Sequence, residues 1–233
     1  MKRLFYFTII TLLTFTACES KEPSNSSSSN NSVSGKSDAN GHDYVDLGLS
    51  VKWAICNVGA NSPEEYGDYF AWGEIAPKTI YTIENYKWWD GAYNKITKYC
   101  TFSDYGIVDN KTVLELSDDA ANVNWGGDWR MPTIKEQKEL INKCTWIWNT
   151  KNGKNGYTII GPSGKSIFLP AAGIYSFDEN LSQVNIYGGY MSSVLSQDII
   201  GSQSYYGIGF ESDTIVWGSD LRCSGLTVRA VLP

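Results

Sequence analysis

The chain has 233 residues, 25 of them acidic and 19 basic, for a formal charge of −6. An acidic chain with no basic run suits neither nucleic acid nor an anionic membrane surface, because both require clustered Lys and Arg to displace counterions. A single histidine, His42, removes most metal and triad chemistry.

Lys2 and Arg3 precede an apolar run from Leu4 to Ala17. The run falls short of the roughly 20 residues a bilayer span needs but suits a signal-peptide core. It ends in Phe15-Thr16-Ala17-Cys18, which resembles the bacterial lipobox, with Phe15 where leucine is commonest. That resemblance implies cleavage after residue 17 and diacylglycerol on the Cys18 thiol, with the membrane reached through the lipid alone. Residues 18–40 contain Pro23, a Ser/Asn tract from Ser26 to Ser32 and almost nothing apolar. Such a segment cannot offset its ordering entropy and is expected to be a flexible tether with a reach of roughly 25 Å. Glu19 and Glu22 look like a weak form of the acidic patches that favour surface display of some lipoproteins.

From Gly41 to Pro233 the composition changes: all nine tryptophans lie here, among regularly spaced glycines, with no second linker and no fixed repeat. One domain over 41–233 is expected. Tyr44 to Trp53 alternates around a central turn signal and predicts a hairpin. Ser117 ahead of Asp118-Asp119-Ala120-Ala121 predicts a helix start. Thr133 and Glu136 form a capping box behind Pro132, with Ile134, Gln137, Leu140 and Ile141 continuing at helical spacing. Strands are expected at 145–148, 157–160, 166–169, 205–210, 214–217 and 226–231, each short, β-branched or aromatic and bounded by turn residues. Two helices among many short strands make an α+β domain.

Several stretches carry a resemblance: Tyr44 to Ala54, Cys56 to Ala60, Glu65 to Glu74, Trp125 to Thr133, Phe168 to Gly173, and Val228-Arg229. In this order they resemble the Fibrobacter succinogenes major paralogous domain family. The resemblance implies a C-type-lectin-like fold, in the variant shared with formylglycine-generating enzymes, with many short antiparallel strands and two helices. Its members are mostly secreted or lipid-anchored proteins of unassigned activity. Met191-Ser192-Ser193 departs from the expected Trp-Ser-Ser, and Ala230 replaces a proline; both lie in the half that forms the variable face.

Catalytic readings find little support. Formylglycine-generating enzymes need two reactive cysteines near the C-terminus, where this chain has only Cys223. His42, at the tether junction, is expected to be a solvated linker residue rather than a general base. The acidic pairs Glu64-Glu65 and Asp118-Asp119 are adjacent in sequence, so their side chains diverge rather than share a substrate. Asp118, Asp119, Asn122 and Asn124 offer oxygens of the kind calcium takes, but no proline is followed by Asn or Asp as a sugar-bridging calcium loop requires. No enzyme activity, cofactor or metal is expected. Cys56, Cys100, Cys144 and Cys223 allow three complete disulfide pairings or four buried thiols.

Aromatic side chains remain, since their faces stack on sugar rings and anchor protein interfaces. The expected ligand-binding residues are Trp88, Trp89 and Tyr93 in a loop-like stretch, and Tyr187, Tyr190, Tyr205, Tyr206 and Trp217 in the C-terminal half. Trp53, Trp72, Trp125 and Trp129 are expected to be buried, and Arg130 and Arg229 to make ion pairs or carbonyl contacts. The expected protein is an outer-membrane, lipid-anchored, surface-exposed binding domain for a glycan or a protein. The alternatives are a structural or fimbria-associated assembly component, and a hydrolase or transferase of unknown type.

Overall fold

The computed structural model describes residues 36–37, 40–92, 95–176, 180–197 and 203–233. The leader, Cys18, most of the expected tether and Tyr93 lie outside the described residues. Among the described residues, no helix is long and apolar enough to cross a membrane.

The fold is mixed α+β, mostly antiparallel strands in several sheets, with two α-helices. β1 (Lys36–Ser37) pairs with β2 (Asp43–Val45), so the folded part reaches back into the stretch expected to be tether. β2 turns into β3 (Lys52–Ala54), giving the expected hairpin, and β4 (Tyr69–Phe70) follows.

A 3-10 turn at Leu116–Asp118 leads into α1 (Ala120–Trp125). Its cap is Asp119 rather than the expected Ser117. The Asp119 carboxylate accepts from Ala121 N, Asn122 N and Met131 N, three backbone donors a serine two residues earlier cannot reach. α2 (Ile134–Lys143) starts at the expected capping box, in which Thr133 and Glu136 each satisfy the other's backbone N–H. Arg130 clamps Glu136 through both guanidinium nitrogens, an ion pair as expected.

β5 (Thr145–Lys151), β6 (Lys154–Ile160) and β7 (Ser166–Pro170) form a meander. Asn152 (φ 48°) and Gly153 (φ 77°) make the two-residue turn between β5 and β6; both lie in the left-handed region that Asn-Gly tolerates. β8 (Ile174–Tyr175) and β9 (Leu181–Ser182) form a small ribbon. β10 (Gly188–Leu195), β11 (Ser204–Glu211) and β12 (Thr214–Leu221) run antiparallel. The expected strand at 226–231 is instead β13 (Leu226–Thr227) and β14 (Val231–Leu232). β13 pairs parallel to β10, and β14 closes on β3, so the chain switches sheets between them.

The five-stranded sheet, ordered β12-β11-β10-β13-β4, divides the core. Side chains alternate across its strands. Tyr190, Ile208 and Phe210 join a cluster with Trp53, Leu140, Tyr157 and Leu169 on the side where α2 packs. Met191, Leu195 and Tyr205 join Phe70, Trp72, Tyr99 and Trp129 on the other. Trp53, Trp72 and Trp129 are buried as expected, whereas Trp125 is half-buried, its ring stacked on His42 at 4.1 Å. That stack places His42 against the domain, not in a solvated linker.

Arg229 is fully buried between the layers. Its guanidinium donates to Asn57 Oδ1 at 2.8 Å and to the carbonyls of Ala54, Ile55 and Phe168 at 3.0, 2.6 and 2.9 Å, in line with the expected carbonyl contacts. Arg229→Met breaks all four bonds, and a fall of about 3 kcal/mol or more in unfolding free energy is expected, read from the urea midpoint by intrinsic fluorescence.

Candidate functional site

The seven described aromatic residues among those expected to bind ligand do not form one surface. Trp88 donates its indole N–H to Gly73 O at 3.2 Å and packs edge-on to Tyr99. Lys87 Nζ lies 4.2 Å and Lys98 Nζ 5.0 Å from its ring. Both lysines are also held by Asp118. The ring's contacts are therefore internal, which corrects the expectation of a free stacking face. Trp89 is half-buried against the core cluster that holds Tyr81, Tyr86 and Cys223, and its backbone bridges to Ile96.

Tyr190 and Tyr205, 2% and 1% exposed, are core residues and cannot serve as surface contacts. Tyr190 stacks on Phe210 and donates its hydroxyl to Pro170 O at 2.8 Å. Tyr205 stacks on Trp72 with ring centroids 6.3 Å apart. Both strands alternate correctly, but both sides of the sheet are covered, so neither direction faces solvent.

Tyr206 and Trp217 lie together at the open end of the sheet, on the α2 side. Their centroids are 6.2 Å apart, Trp217 is 45% exposed, and Lys138 Nζ of α2 lies 3.3 Å above its ring. Both residues are among those expected to bind ligand.

On the opposite side of the same strands lies a small cavity of about 10 Å³, lined by Tyr187, Tyr205, Gly207, Gly218, Asp220 and Leu226 among others. The register builds it. Tyr205 stands directly across from Asp220, and the next same-side rung pairs Gly207 with Gly218. Two glycines face each other there, and a Cβ at Gly207 would already come within 2.7 Å of Tyr190 O. Tyr187 lies over the following glycines: a Cβ at Gly209 would come within 2.9 Å of its hydroxyl, so a larger residue there would displace the ring.

The polar groups of the cavity are incompletely paired. Asp220 Oδ1 accepts from Leu221 N at 2.6 Å and Ser224 Oγ at 3.2 Å, while Oδ2 has no hydrogen-bond donor among the described residues. The buried Tyr205 hydroxyl has no partner, and none is seen for the Tyr187 hydroxyl among the described residues. Burial raises the Asp220 carboxyl to about 6, and no cation offsets it. Burial also pushes both tyrosine hydroxyls up, holding them protonated. Asp220 was missed in the sequence. Its signal was an acid in Thr214-Ile215-Val216-Trp217-Gly218-Ser219-Asp220-Leu221, on the face that alternation assigns to the core.

Other predicted groups have structural work. Glu64 bonds to Asn152, and Glu65 accepts from Asn61 N. Asp118 pairs with Lys87 and Lys98 and accepts from the Tyr99 hydroxyl. Asp119 caps α1, and the side-chain amides of Asn122 and Asn124 donate to the carbonyls of Trp129 and Ile75. Among the described residues no group of three His, Cys, Asp or Glu side chains converges. Cys56, Cys100, Cys144 and Cys223 are free thiols, Cys100 and Cys223 buried in one cluster. Burial pushes Cys144 and Cys223 up to about 11, which leaves them weak nucleophiles.

Because folding raises the Asp220 pKa above its unfolded value near 3.8, the ionised carboxylate opposes folding. The penalty is absent below about pH 4 and grows as pH rises through 6. Asp220→Asn is therefore expected to raise the melting temperature at pH 7.5 and leave it nearly unchanged at pH 4; differential scanning calorimetry at the two pH values checks this.

No protein family, curated protein or solved structure matches the chain. The family resemblance rests on the sequence motifs alone.

Proposed function

We propose that this chain is a surface-exposed lipoprotein, anchored in the outer membrane by lipid on Cys18, whose C-type-lectin-like domain binds a glycan or a protein without catalysing a reaction. The observation that carries the reading is the β11–β12 end of the sheet, where the buried Tyr205 hydroxyl has no partner among the described residues. Buried polar groups in that state cost stability, and they are retained where a ligand supplies the missing bonds. Trp217 and Tyr206 stand on the other side of the same sheet edge, so a ligand wrapping that edge meets aromatic faces as well.

The titratable groups around the cavity speak for binding over turnover. They are one carboxyl and phenols held protonated, together with the unreactive thiol of Cys223. Glycoside hydrolysis calls for a second carboxyl opposite the first. The edge position of β12 favours the assembly reading as a second possibility, because an extended segment of another subunit can pair with an edge strand.

Trp217→Ala is expected to weaken binding to an immobilised glycan or partner at least tenfold, measured on a glycan array and by pull-down followed by titration. Undiminished binding takes Trp217 out of the site, and turnover by purified protein overturns the non-catalytic reading. Cys18→Ser is expected to move the protein from the membrane to the soluble fraction on cell fractionation; retention in the membrane would overturn the lipid anchor.

A further inference from the structure

β12 is the terminal strand of the five-stranded sheet and pairs only with β11 among the described residues. None of its residues is buried, and its register with β11 runs unbroken from the Thr214 and Glu211 pair to the Leu221 and Ser204 pair. It carries no proline, lysine or arginine and no bulge, so it lacks the devices by which exposed edges avoid pairing. The N–H and C=O groups along its open side form a template for an added strand.

The charge beside this edge is positive, against the sign of the whole chain. α2 packs on the Trp217 side of the sheet and carries Lys135, Glu136, Lys138, Glu139 and Lys143. Glu136 is neutralised by Arg130, and Glu139 by Lys143. Lys135 and Lys138 are left without a carboxylate partner among the described residues, and as positions i and i+3 they are neighbours on the helix surface. Lys138 Nζ lies over the exposed Trp217 ring, which steadies the ammonium without cancelling its charge. Alternation puts Tyr206, Ile208, Ile215, Trp217 and Ser219 on this side of the two strands, none of them acidic.

An open strand edge, an exposed indole and two uncompensated ammonium groups therefore adjoin one another. A basic segment would be repelled there, and a sugar has no alternating N–H and C=O groups to satisfy the strand. An extended acidic peptide meets both requirements. In an added strand, the side chain opposite Trp217 falls on the α2 side, and the next one along falls on the side of Asp220. Carboxylates therefore belong at every second position, because an acid at the positions between would face Asp220. We infer that β12 docks an extended segment of a protein ligand with acidic residues at alternate positions, paired main chain to main chain along Thr214–Leu221 and held by Trp217, Lys138 and Lys135. This deepens the binding function proposed above and rests on it.

The probe is a blocked hexapeptide of alternating valine and glutamate, titrated into the full chain and followed by amide NMR. Saturable shifts are expected along β12 and at Lys138, and none with the hexapeptide of alternating valine and lysine. N-methylation of every amide in the glutamate peptide keeps its charges but blocks strand pairing, and is expected to abolish binding. Lys138→Gln is expected to weaken binding about fivefold and the double variant Lys135→Gln, Lys138→Gln more than tenfold. Added salt is expected to weaken the wild-type complex severalfold, since exposed ion pairs are screened. Neither lysine holds an ion pair within the fold and glutamine has a similar helix preference, so the melting temperature of both variants is expected to stay at the wild-type value.

Absence of saturable shifts, equal binding by the lysine or the N-methylated peptide, or undiminished binding by the double variant would overturn the inference. Oligogalacturonate binding as tightly as the glutamate peptide would overturn it too, by marking an acidic glycan as the occupant. Glycan or partner capture that depends on Trp217 while the glutamate peptide fails to bind would sink this inference and leave the broader binding function standing.

Discussion

The architecture depends on burying two guanidinium groups near the end of the chain. Arg229 sits among backbone carbonyls from β3 and β7 and the Asn57 amide oxygen. Arg222 donates to the carbonyls of Lys98 and Tyr99 and to the Tyr86 hydroxyl, with Trp72, Tyr86 and Tyr99 rings around it. Irregular backbone must place its polar groups somewhere, and a buried loop carbonyl without a donor is costly. A planar cation with five donors solves that problem for several loops at once. This is how a chain with so many short strands and long connections forms a dense interior: the C-terminal residues reach back and gather loops from the N-terminal half.

The sheet that these contacts support has two different sides. The side facing α2 is filled by Tyr190, Ile208 and Phe210 and ends at the exposed Trp217. The other is filled by Tyr205, Met191 and Leu195, with a small cavity beside the Gly207–Gly218 rung. The aromatic row Trp88, Tyr99, Trp72, Tyr205 runs through the core to the cavity wall. Tyr205 is therefore held rigidly, and its hydroxyl cannot swing away to find a partner.

Local signals in the sequence were legible wherever one short segment decides the outcome. The Thr133–Glu136 box starts α2 because both partners lie within one turn. β10 was missed because Gly188-Gly189 reads as a turn, yet it is a central strand buried on both sides, where glycine lets Tyr187 and Leu226 close over it. The cap of α1 was misplaced because Asp119 is chosen by Met131, twelve residues away, rather than by its neighbours. The aromatic candidates failed in the same way. Exposure of a ring depends on what covers the far side of its sheet, and composition carries no record of that. Of the five C-terminal candidates, Trp217 is exposed beside Tyr206; the buried carboxyl of Asp220 was not anticipated.

The unpaired thiols bear on how such a protein comes to be made. With Cys56, Cys100, Cys144 and Cys223 all reduced, nothing in the described fold waits for an oxidant or an isomerase. Cross-linking is replaced here by guanidinium groups and aromatic rings, which assemble as soon as the last residues arrive. A chain of this kind can mature without any thiol-oxidising system, and its lifetime is set by packing rather than by redox poise.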